Sequence, residues 1–235
     1  MFKNALEGVK KIYYSAVCGV ASTALSLTAA LFALLGLGGS STFSVLLTGL
    51  FGGLAFITAL ASFIFEILGC YECSKDKKEF MYALYLSVLG IVMTGLAIVF
   101  NNFAGSIFSF IASISSLFTV VIILRGLMSV FTDLDDKEMV DKGRKVLIIH
   151  SVTFIAAAVI EFVSGILAKL EVKTLIVTLL SIVAAIIAIV SVVFFLMYVK
   201  ESVSHIEFST FKPKSDDKLE QVIDVESKPV ESNNE

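Results

Sequence analysis

An all-α integral membrane protein with six transmembrane helices is the fold class the sequence predicts, and three observations predict it. The chain is 57% hydrophobic and 17% charged, with a mean hydropathy of +0.93, against the roughly 45–50% apolar content of soluble domains. Its apolar residues fall into six uninterrupted runs, each long enough to cross about 30 Å of hydrocarbon at 1.5 Å per residue. Its lysines and arginines alternate with those runs in a one-sided pattern: sixteen lie on one side and two, Lys169 and Lys173, on the other.

The first run, 12–37, follows a charged N-terminal segment, 1–11. At 26 residues it exceeds the roughly 7–15 apolar residues of a secretory signal, so it is expected to be retained as a span. The others are 43–69, 81–101, 104–130, 146–168 and 173–199. Pro213 and Pro229 are the only prolines and lie in the tail, so continuous helices are expected throughout the spans. Six spans return both termini to one side, and the excess of positive charge makes that side cytoplasmic. The layout is three hairpins with two charged connectors, short uncharged turns outside and an acidic C-terminal tail, 200–235. The tail opens with an amphipathic stretch to about Phe211 and is expected to be disordered beyond it. A weak internal repeat is suggested by Leu68, Asp76, Lys78 and Glu79, which match Leu127, Asp135, Lys137 and Glu138 at an offset of 59.

Helices in lipid gain little from hiding apolar surface from one another, so small residues and hydrogen bonds mark their contacts. Helix one carries Ser15, Gly19, Ser22, Ser26, Ala29 and Ala33 at heptad spacing, and helix two carries Thr48, Gly52, Ala55, Ala59, Ser62, Glu66 and Gly69. Helix three carries Ala83, Ser87, Gly90, Thr94, Ala97 and Asn101, and weaker seams run along the fourth through Ala112, Ser116 and Thr119 and along the sixth through Thr174, Thr178 and Ser181. Close packing is the plainer reading of these seams; a polar-lined path is the functional one.

Cys70 and Cys73 form a C-x-x-C pair, which supplies two of the four ligands a structural zinc site needs. Cys18 and His150 are the remaining candidates, and they would have to converge from helices one and five. The favoured reading is a helix end and turn whose cysteines are open to lipidation, with no metal and no cofactor. Charged residues within a membrane run face protein or water. Glu66 and Arg125 lie at corresponding depths, 59 residues apart, and are the candidates for an intramembrane ion pair. The alternative is that each snorkels to the interface. His150 and Glu161 share one face of helix five, about 16 Å apart by helical rise, and are the candidates for a polar face or part of a proton path. The alternative is two unrelated residues near opposite ends of the span.

No metalloprotease, serine-hydrolase or phosphate-loop pattern is present, so an enzyme is not expected. Neither the charge balance nor its distribution suits nucleic acid. The expected partners are the lipid bilayer and a cytoplasmic protein reached through the tail, where Leu219, Val222 and Ile223 have helix-in-groove spacing. The sequence therefore points to a non-enzymatic membrane scaffold or interaction protein. A small-molecule or ion transporter, or the membrane substrate-binding subunit of one, is the alternative. A sealed core with Glu66 bonded to Arg125 would favour the first, and a cavity bordered by His150, Glu161 or Asn101 the second.

Overall fold

A computed structural model describes residues 3–36, 42–100, 103–169 and 174–211, with the side chains of residues beyond 157 and before 189 described in part. The outer turns, Asn101, the Glu161 side chain and the tail positions Leu219, Val222 and Ile223 lie outside the described residues. Among the described residues six helices follow one another: α1 (Lys3–Gly36), α2 (Thr42–Ser74), α3 (Glu79–Val99), α4 (Phe103–Asp133), α5 (Lys137–Lys169) and α6 (Thr174–Phe211). There is no strand among the described residues. Five helices are long and apolar enough to cross a membrane. The expected span 146–168 falls in α5, which is not among the five; it begins with a dense run of charge from Lys137 to Lys145, and part of its later side chains is outside the described set.

Consecutive helices pack most extensively, α1 on α2, α3 on α4 and α5 on α6. Smaller contacts of α2 with α3, α4 with α5 and α6 with α1 complete a circuit of neighbours. The expected seams of α1 and α2 meet. Ser62 Oγ donates to the Ser15 carbonyl at 2.9 Å, and Ser22 Oγ to the Ala55 carbonyl at 2.9 Å. On the next pair, a Cβ at Gly90 would lie 3.6 Å from Ser115.

Burial is concentrated at one end, which carries the first turns of α1, α3 and α5 and the last turns of α2, α4 and α6; we call it the basal end. Val9, Ile12, Cys70, Cys73, Phe80, Leu127, Phe131, Met139, Tyr198, Val199 and Ile206 form one cluster there, drawn from all six helices. Several of these residues lie beyond the ends of the apolar runs, where water drives apolar surface together as lipid does not. The opposite halves present Phe43, Leu46, Leu50, Ile98 and Val99 outward, as surfaces solvated by hydrocarbon do.

Helix lengths at the basal end depart from the hydropathy. α1 starts at Lys3, and α6 runs on to Phe211, taking residues 200–211 out of the tail. The cause is amphipathic: Ala5 and Val9 in α1, and Ser202 and Ile206 in α6, sit one turn apart and are buried. The repeat positions share environments only in part: Lys78 and Lys137 are both exposed, but the leucines differ. Leu68 is 43% exposed and Leu127 fully buried.

Local chemistry fixes the two basal connectors. α4 closes with Asp136 N–H on the Phe131 carbonyl at 2.9 Å and Asp135 N–H on Thr132 at 3.2 Å. That closure requires a left-handed residue, here Asp135 at φ 53°. Asp136 then caps α5, its carboxylate accepting the Met139 N–H at 3.1 Å. In the first connector Asp76 caps a different helix: it accepts the Ala5 N–H at 2.7 Å and the Asn4 side-chain amide at 2.9 Å, satisfying donors left open at the start of α1.

Candidate functional site

Two features of the structure bear on function, a polar collar around the basal core and a cavity above it. The collar ties elements distant in sequence. Lys77 Nζ reaches Asp133 at 2.6 Å and Ser129 at 3.0 Å. His205 Nδ1 lies 2.8 Å from Asp136 Oδ2, and the His205 ring meets Phe131 edge-on. Lys142 bridges Glu138 at 2.9 Å and Glu201 at 2.5 Å. Lys10 bonds Glu207 at 3.2 Å, joining the first helix to the last. Each pair is at least partly solvated and so contributes modestly, but together they encircle a core that water cannot enter.

Inside the collar, glycines let helices approach. A Cβ at Gly69 would lie 2.7 Å from Ile12 and 2.8 Å from the Gly8 carbonyl oxygen. Gly126 makes room for the Phe80 ring, and Gly143 for the Tyr198 ring, whose hydroxyl donates to the Met139 carbonyl at 3.3 Å.

The cavity lies between α4, α5 and α6 and measures about 270 Å³. Leu117, Val120, Phe154, Ala157 and Val192 supply an apolar wall, and Ser116, Thr153, His150 and Ser191 supply the polar groups. His150 Nδ1 lies 2.7 Å from Ser191 Oγ. One turn toward the basal end, Val146 and Phe195 belong to the buried cluster.

The residues singled out by sequence are distributed as follows. Glu66 accepts a hydrogen bond from Ser87 Oγ and is not joined to Arg125, which is exposed; α3 packs between their helices. His150 finds its partner on α6, in Ser191. Cys70 and Cys73 are both fully buried. Cys73 Sγ faces the Ala5 carbonyl at 3.6 Å, so the C-x-x-C pair packs against the start of α1 rather than lying open in the connector. Neither Cys18 nor His150 joins it: no group of three metal-ligating side chains exists among the described residues.

Sequence reasoning missed Asp136, Ser191 and the Lys10–Glu207 pair, and it singled out Asp76 only as a repeat position and Ser87 only as a packing residue. Asp136 carried a readable signal, an Asp just before a helix whose third residue needs a cap. The others depend on which helices become neighbours. Against this geometry, comparison with known proteins gives no matching family model, no matching curated protein and no matching solved structure.

Proposed function

We propose that the chain crosses the bilayer six times as three hairpins, with both termini cytoplasmic, and acts without catalysis as a membrane scaffold that presents its connectors and tail to a protein partner. The observation that carries this reading is the sealed basal core. All six helices contribute to it, and the ion pairs around it hold the connectors in fixed positions. Such a platform offers Lys78, Asp135 and Lys137, all exposed, as a preorganised surface that costs little ordering on binding.

The test places photocrosslinking residues at Lys78 and Asp135 in intact cells. Discrete adducts with one cytoplasmic protein, lost when the tail is removed, are expected. Absence of adducts together with saturable solute uptake by proteoliposomes would replace this reading with transport. Cysteines introduced at Ser40 and Ser74 check the topology and should label from opposite faces of the membrane. The transport reading is favoured by the cavity beside His150 and by Glu66 being bonded to Ser87 instead of Arg125.

A further inference from the structure

We infer that the cavity between α4, α5 and α6 is a binding site for one small neutral amphiphile, an apolar body of about one ring carrying a single hydroxyl. The inference holds independently of the scaffold reading. Size sets the first limit: about 270 Å³ falls just below the roughly 300–1,000 Å³ of pockets for drug-sized ligands. Charge sets the second. No Asp, Glu, Lys or Arg is among the described residues that line the cavity, so these residues offer an entering ion no counter-charge for the hydration it would lose.

The polar handle sets the third. His150 Nδ1 is engaged by Ser191, and no described residue bonds His150 Nε2. If Ser191 donates to Nδ1, Nε2 carries the proton and donates; if Nδ1 donates, Nε2 accepts. A hydroxyl can meet either state, and a ketone or an ether only one. The remaining wall, including Phe154 and Val192, suits an aliphatic or aromatic body.

Access narrows the class further. Val146 and Phe195, one turn toward the basal end, are buried, whereas Ser116 on the cavity wall is exposed. The occupant therefore arrives through the bilayer or from the opposite face, which selects molecules that partition into membranes. Two sources share this chemistry, the hydroxyl-bearing region of a bilayer lipid and a free membrane-soluble phenol or alcohol.

The test uses the purified full-length protein, 4-propylphenol as the probe and propylbenzene as its match without the hydroxyl. Propylphenol should raise Tm by several degrees, saturably, and bind about fivefold tighter than propylbenzene. Ala157→Leu, which fills the cavity, should abolish both responses while keeping a cooperative melt. His150→Leu should abolish only the preference for the phenol, and it carries the test if the first variant does not fold. No saturable shift, equal binding of the two probes by the native protein, or a phenol preference surviving in His150→Leu would each overturn the inference. Weaker phenol binding in phospholipid nanodiscs than in detergent identifies a lipid as the resident, and equal binding a free solute; both support the site.

Discussion

Gly8 of α1 and Gly69 of α2 stand backbone to backbone: a Cβ on Gly8 would fall 2.6 Å from the Gly69 carbonyl oxygen, and one on Gly69 would fall 2.8 Å from that of Gly8. Backbone cannot rotate aside as a side-chain tip can, so the crossing tolerates no methyl group. Gly69→Ala and Gly8→Ala should each destabilise by about 1–3 kcal/mol, the usual cost of overpacking. Gly53, with nothing within 4 Å of its Cβ position, is the internal control. Gly53→Ala should be neutral or stabilising, because alanine favours helix over glycine. Thermal melts of the three variants in one detergent would show it, and equal losses at Gly53 and Gly69 would remove the claim.

The buried cysteines predict an order of chemical labelling. Cys18 is only partly buried, whereas Cys70 and Cys73 are enclosed. A membrane-permeant maleimide should modify Cys18 first, and the other two at a rate set by unfolding. Rapid labelling of Cys73 in the folded protein would contradict its placement against Ala5. Chelators should leave Tm unchanged.

Stability at alkaline pH reports the collar. Hydrogen bonds from the Lys142 ammonium to Glu201 and then Glu138 raise its pKa from 10.5 to about 12. The folded value lies above the unfolded one, so the stabilisation is complete below about 10.5 and is lost as pH rises through about 12. Glu201→Gln should therefore differ from the native protein at neutral pH and converge on it across that window. Denaturant melts at a series of pH values would follow the convergence; a constant difference would mean that the pair does not titrate as a unit.

Glu66 separates two coupling patterns. With Ser87 as its hydrogen-bond partner, Glu66→Gln and Ser87→Ala should be non-additive by about 0.5–3 kcal/mol. Glu66→Gln and Arg125→Ala should add, because the two residues share no bond. The reverse pattern would restore the ion pair that equivalent depth in the sequence suggested.

These cases also show how far the sequence could be read. Long apolar runs without proline identify helices directly, since hydrocarbon demands internally satisfied backbone, and the small-residue seams of α1 and α2 meet at Ser15, Ser62, Ser22 and Ala55. Hydropathy was blind to the first turns of α1, where Val9 lies among charge and looks like surface, whereas the stretch around Ile206 was legible as amphipathic but not as part of α6. Glu66 shows a second limit. Depth along a helix follows from counting residues, but rotational neighbours do not, and α3 rather than α4 supplied the partner. His150 was legible as a polar residue on α5, while Ser191 and the space beside them depend on how α5 and α6 come together.

The Lys10–Glu207 bond has a consequence for biosynthesis. Its partners lie 197 positions apart, and the packing it borders needs Ile206 from the last turns of α6. While the ribosome is still making the chain, α1 and α2 can pack along their length, but the basal core, which draws on all six helices, cannot close until Ile206 is made. A nascent protein truncated before α6 would therefore be inserted yet unfinished, with a greasy patch exposed to chaperones and proteases. The final closure of the fold would be the cell's first sign that synthesis had reached the end of the helical region.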